Sequence, residues 1–248
     1  ANCVSAVNIT SSYTSDRCGA GGLISFIYTN TQVTITDCLV KGSINASGAG
    51  RKGMGGFVYS QNGTCTFNNC LYLGTNNVIA GSNTFTYNAT INNCYYLNVC
   101  NVAQGDKVTE EELKSGEVTK KLQGDRTENV WGQTLGTDLE PQLTTEKAKH
   151  VYKVDFKYMD EVKATRYANS GKTIYGSMPT FTAKDLLGND YNPKLTYALN
   201  FGDFTANTPV TADKTVDVTV TVSGTFPIAS KDDWKEFCGV VNNGVTAV

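Results

Sequence analysis

Hydrophobic and polar residues alternate in three short runs of nearly the same wording: VTITDCLV from Val33, CTFNNCLY from Cys65 and ATINNCYY from Ala89. Alternation with a period of two marks a strand with one buried face. Aligning the runs puts Val33, Cys65 and Ala89 at one position, Ile35, Phe67 and Ile91 at another, and Cys38, Cys70 and Cys94 at a third. Asn2–Cys3 reads as the tail of a fourth copy, and the successive cysteines lie 35, 32 and 24 residues apart. A second element, GAGGLISFI at 19–27, returns 34 residues later as GMGGFVYSQ at 53–61. Each unit is therefore predicted to be a strand, a turn, a glycine-marked strand and a loop.

A single unit of this kind cannot bury its apolar face, whereas stacked copies share one continuous core. The expected architecture for 1–100 is a parallel β-solenoid. Small Cys38, Cys70 and Cys94 suit a tight inner corner and are expected to stack as a ladder of thiols. The Asn or Asp before each can take turn geometry. The pairs Gly21–Gly22 and Gly55–Gly56 would let the backbone bend or approach a neighbour closely. After the cysteine, Leu39, Leu71 and Tyr95 share a position, as do Val40, Tyr72 and Tyr96, and alternation sends the two sets to opposite faces. Taking the leucine set as core leaves Tyr72 and Tyr96 as candidate ligand contacts; a stack of these rings along the coil is the competing reading.

Beyond residue 100 the pattern changes. VTEEELKSGEV carries Thr109 with Glu112 three residues on, a capping box, with acidic side chains in the first turn. A helix over 109–122 follows, Gly124 lies beyond its end, and the segment 101–150 is expected to cover the open end of the solenoid. Residues 151–225 hold several strand-length runs rich in Val, Thr, Tyr and Phe, among them VDVTVTVS with Val216, Val218, Val220 and Val222 on one face. They predict a small immunoglobulin-like β-sandwich, with a β-grasp-like domain as the alternative. In the tail, 226–248, Ser230 is a plausible N-cap and Trp234, Phe237 and Cys238 form an apolar edge at helical spacing. It reads as a C-terminal tail or the start of a further repeat unit in a longer protein.

The glycine-marked strands, VTEEELKSGEVTKKLQGD and VWGQTLGTDLEPQLT together resemble the GLUG-repeat proteins of bacterial surfaces. The matching residues of the last segment are Trp131, Gly132, Gln133, Gly136, Asp138 and Pro141, and the likeness covers about residues 1–150. It implies a right-handed β-helix in a secreted or cell-surface, adhesin-like protein. The copy containing Cys94 departs from it, because no Gly-Gly strand precedes that copy.

Composition narrows the chemistry. Residues 1–100 contain only Asp16 and Asp37 as acids and Arg17, Lys41, Arg51 and Lys52 as bases, yet hold seven of the eight cysteines. A net charge of -2 gives no electrostatic footprint for nucleic acid, and no apolar run approaches a membrane span. No cofactor is expected. His150, the one histidine, would have to assemble nucleophilic chemistry across a domain junction, so a surface or strand-entry role is the better reading. Asp16 and Asp37 could form a glycosidase-type carboxylate pair on neighbouring coils, but charge poverty counts against it. C-x4-C and C-x5-C spacings do not fit zinc; disulfides among Cys3, Cys18, Cys65 and Cys100 compete with free thiols. Calcium at GNDYN (188–192) with Asp185 is weaker than a turn there. Four N-x-S/T sequons, at Asn8, Asn45, Asn62 and Asn88, fit chance in a segment this rich in Asn, Ser and Thr. Two classes remain: a non-enzymatic extracellular module that presents or binds glycan or host protein, and a carbohydrate-active β-helix enzyme or its substrate-binding domain.

Overall fold

The computed structural model describes residues 1–11, 20–46, 55–60, 62–76, 83–193, 195–223, 227–242 and 245–247. Strand outweighs helix, 39% against 16%, which places the chain in the mainly β class. It divides into two compact units, Ala1–Val151 and Tyr152–Val248.

Unit one is built of rungs. The first holds β1 (Cys3–Ser5), β2 (Ile9–Ser11) and β3 (Ile24–Ile27); the second holds β4 (Gln32–Thr36), β5 (Cys38–Val40), β6 (Ser43–Ala46) and β7 (Val58–Ser60). The third holds β8 (Thr64–Asn68), β9 (Leu71–Tyr72) and β10 (Thr75–Asn76), the fourth β11 (Ala89–Asn92) and β12 (Tyr95–Tyr96), and β13 (Asp106–Lys107) adds a last piece. Like strands pair in parallel, in the orders β1-β5-β9-β12-β13, β2-β6-β10, β4-β8-β11 and β3-β7. The alignment read from the sequence is the pairing register: Val33, Cys65 and Ala89 face one another across the ladder, as do Leu39, Leu71 and Tyr95. Stacking continues past residue 100, because Asp106–Lys107 pairs with Tyr95–Tyr96.

The residue before each stacked cysteine is left-handed: Asn2, Asp37, Asn69 and Asn93 have φ of 58°, 51°, 52° and 51°. Asn and Asp tolerate that conformation best among side-chain-bearing residues, which explains why the repeat writes Asn or Asp there. Inside the coil, the rings of Phe57 and Phe85 stack at 4.8 Å, and Phe67 meets both edge-on at 5.5 and 5.2 Å. The Gly-Gly pairs serve close approach. Gly21 bridges Gly55, which bridges Asn83, and a Cβ on Gly56 would overlap the Thr84 carbonyl oxygen and the Tyr72 ring.

The helical segment differs from expectation in two ways. It is broken into α1 (Glu110–Ser115) and α2 (Glu117–Gln123) at Gly116, whose φ of 91° ends the first helix. The capping box of Thr109 and Glu112 forms as read. The pair also covers the side of the stack and not its end: Leu113, Val118 and Leu122 pack with Leu39, Leu71, Tyr95 and Trp131. At the end of the stack a side chain substitutes for a strand. Gln104 Oε1 accepts from the Phe85 and Thr86 N–H groups at 2.8 and 3.0 Å, and its Nε2 donates to the Thr86 carbonyl at 2.8 Å. The short antiparallel pair β14 (Trp131–Gly132) and β15 (Gln142–Leu143) follows.

Unit two is one mixed sheet. Its elements are β16 (Val151–Tyr158), β17 (Glu161–Asn169), α3 (Ala183–Leu187), β18 (Thr196–Asn200), β19 (Lys214–Ser223), α4 (Lys231–Asn242) and β20 (Val245–Ala247). The order is β17-β16-β19-β18; β16 and β19 run parallel at its centre, and β18 is antiparallel to β19. An immunoglobulin-like sandwich needs two facing antiparallel sheets, so that expectation is corrected. Val216, Val218, Val220 and Val222 do share one buried face, packed with Phe156, Leu186, Leu187 and Phe204. In the tail, β20 pairs in parallel with β19.

Candidate functional site

Strand β3 carries the sequence Ile24-Ser25-Phe26-Ile27, followed by Tyr28. Ile27 is buried in the coil, so Phe26 and Tyr28, flanking it, are turned to the outside. Phe26 is 42% exposed and Tyr28 65% exposed, with their ring centroids 5.9 Å apart. On the neighbouring rung Tyr59, only 4% exposed, backs Phe26 at 5.3 Å. The three rings make a ledge with a rigid back and an open front. Between Ala20 and Thr36 there is no charged residue, and Ser25, Thr29 and Asn30 supply neutral polar groups beside it. Such a surface offers stacking and hydrogen bonding without acid–base chemistry.

The residues singled out from sequence lie elsewhere. Tyr72 and Tyr96 are 1% and 7% exposed. They pack inside the coil with Val40, Phe57 and Phe85, so as surface contacts they are corrected. Alternation did send them to the face opposite Leu39, Leu71 and Tyr95, but α1, α2 and Trp131 cover that second face, and both sides are core.

Cys38, Cys70 and Cys94 are buried free thiols that stack rung on rung, with Cys3 opposite Cys38 at the head of the column; each donates to the carbonyl two residues before it, at 3.3, 3.3 and 3.2 Å. The Cys70 thiol, hydrogen-bonding to Cys38, holds the Cys38 thiol down at about 6, and Cys94 is lowered for the same reason. Cys65, outside the column, is pushed up to about 11 by burial. Cys3, Cys65 and Cys100 are thiols as well, and Cys18 lies outside the described residues.

The Trp-Gly-Gln segment is a fastening. Trp131 is fully buried, and Gln133 Nε2 donates to the carbonyls of Leu113 and Asp138 at 2.9 Å each. Asp37 accepts from Trp131 Nε1 at 2.9 Å and from Arg126 Nη1 at 2.9 and 3.0 Å. A carboxylate so held, 6% exposed, is unavailable as a glycosidase acid or base; Asp16 lies outside the described residues. His150 Nδ1 sits 3.0 Å from Asn129 Oδ1 just before β16. Asp185 is spent on the capping box of α3 with Thr182. Among the described residues no group of three or more His, Cys, Asp or Glu side chains could hold a metal, and no helix is long and apolar enough to cross a membrane.

The chain matches no family model, no curated protein and no solved structure. Besides the ledge, unit one holds an open cleft of about 390 Å³ floored by Leu73, Leu97, Leu113 and Leu139. Lys41 and Glu140 pair across its rim at 2.9 Å. A second ion pair, Lys114 with Glu110 at 3.0 Å, also lines it.

Sequence reasoning missed the ledge for a definable reason. In ISFIY, aromatic or aliphatic residues occupy both registers, so alternation alone cannot say which set points out. The pairing of β3 with β7, irregular between Ile24 and Ile27, makes that choice.

Proposed function

We propose that this protein is a non-enzymatic extracellular module of a bacterial surface protein, which presents or binds a neutral glycan or a host protein through the Phe26–Tyr28 ledge. The repeats are read as a short right-handed parallel β-helix of the GLUG-like kind. In-register parallel stacking of four copies supports that reading. Unit two is read as β-grasp-like, supported by its hairpin, helix and two further strands with a parallel central pair.

One observation carries the functional reading: two aromatic rings exposed side by side on a strand, backed by a third on the next rung. Aromatic faces bind the C–H faces of sugars and apolar side chains without needing charge. The fixed Tyr59 reduces the ordering cost of binding. The removal of Asp37 from candidate acid–base work weighs against the carbohydrate-active enzyme.

The test is a screen of the chain against arrayed neutral glycans and extracellular matrix proteins beside Phe26→Ala/Tyr28→Ala. Saturable binding lost in the variant supports the ledge. Binding that survives in it, or no binding by the parent chain, overturns this assignment.

A further inference from the structure

We propose that the column of stacked thiols is a binding site for a soft monovalent cation of the copper(I) type, held between the sulfurs of Cys3 and Cys38. The strands β1 and β5 pair in parallel with Cys3 directly opposite Cys38, so the two side chains leave the same face of the ladder. Neighbouring strands lie about 4.7–4.9 Å apart. A metal–sulfur bond of about 2.3 Å places two collinear ligand sulfurs about 4.6 Å apart, and the ladder spacing matches that span.

Ligand number and softness select the ion. The column offers thiols alone, which favour copper(I) over oxygen-seeking cations. Zinc needs four ligands, and no cluster of three or more metal-type side chains exists among the described residues. Position selects the pair. Cys38, Cys70 and Cys94 are buried while Cys3 is exposed, so an ion enters at the first rung and water still reaches the complex there. Both sulfurs bind as thiolates: copper(I) and two thiolates give a bis-thiolate complex of charge -1, and each sulfur still protonated gives up one proton on binding. The oxidation state does not change.

The experiment is an anaerobic titration of the reduced full chain with copper(I) in competition with a chromophoric copper(I) chelator, followed by X-ray absorption at the copper edge. We expect one tight equivalent with two sulfur ligands. Loss of outer-shell partners alone costs metal sites about 10–100-fold, so Cys3→Ser and Cys38→Ser should each weaken binding by about 100-fold or more. Cys238→Ser, a half-buried thiol outside the column, should leave it unchanged. Circular dichroism of Cys3→Ser, altered at an exposed site, separates a lost ligand from a lost fold. Parent-like affinity in Cys3→Ser, loss in Cys238→Ser, or a shell with three or more ligands or with nitrogen or oxygen overturns the proposal.

Discussion

The indole Nε1 of Trp131 donates a 2.9 Å hydrogen bond to the carboxylate of Asp37, a residue 94 positions earlier in the turn before a stacked cysteine. That bond, with the Arg126 guanidinium on the same carboxylate, ties the segment following the repeats to the second rung. Removing one partner of a buried ion pair strands the other, at about 3–5 kcal/mol. Arg126 keeps 32% of its side chain exposed, so Asp37→Ala should cost less, about 2–4 kcal/mol. Asp37→Asn, which retains an acceptor for the indole, should fall between parent and alanine in urea unfolding. Equal stability of all three would show that the contact is not a fastening.

The glycine pair gives a second prediction. A Cβ at Gly56 meets backbone, the Thr84 carbonyl, and the buried Tyr72 ring, neither of which can retreat without parting the rungs. Overpacking of this kind costs about 3 kcal/mol or more. Gly171, at φ 73° with open space around its Cβ position, should lose only about 1 kcal/mol on change to alanine. Thermal unfolding of Gly56→Ala and Gly171→Ala should therefore give clearly unequal losses, and similar losses would contradict the close approach.

The parts legible in the sequence were those fixed by neighbours along the chain. The Asn/Asp–Cys step recurs because each copy must turn left-handed at Asp37, Asn69 and Asn93, and the wording repeats with the geometry. The fate of Tyr72 was not local: alternation tells which face a residue takes, whereas only the distant Leu113, Leu122 and Trp131 decide that the opposite face is covered too. The sheet order of unit two was equally remote, since it rests on Phe156 finding Val216 across the intervening strands and helix. Short apolar runs specify strands well and partners poorly.

Tyr72 should give the fold an alkaline sensitivity. Burial raises its phenol well above the ordinary value near 10, with the neighbouring Cys100 adding to the effect. The unfolded chain then loses this proton first. Below pH 10 the linkage costs nothing; above it the unfolded state is favoured, by about 1.4 kcal/mol for each pH unit. Tyr72→Phe keeps the packing and gives up a weak contact from the Cys100 thiol at 3.8 Å. Its stability should match the parent within about 1 kcal/mol at neutral pH and decline less steeply between pH 10 and 11. Parallel pH profiles would refute the burial argument.

Gln104 supplies the last prediction. The Thr84 N–H still pairs with the Val102 carbonyl at 3.0 Å, whereas beyond it the Gln104 amide satisfies the N–H groups of Phe85 and Thr86 and the Thr86 carbonyl. Gln104→Ala leaves those groups to water or to another chain. Each buried group left unpaired costs about 1–3 kcal/mol, while water entering the opened edge returns part of that, so a loss of about 2 kcal/mol is expected. An unpaired edge also templates association between copies. Gln104→Ala should therefore self-associate with rising concentration in light scattering where the parent does not. Gln104→Glu separates the two effects, since its carboxylate accepts from Phe85 and Thr86 but cannot donate to the Thr86 carbonyl. It should recover part of the stability and, through added charge, all of the monodispersity. If Gln104→Ala stays monomeric and as stable as the parent, the side chain is not closing the edge.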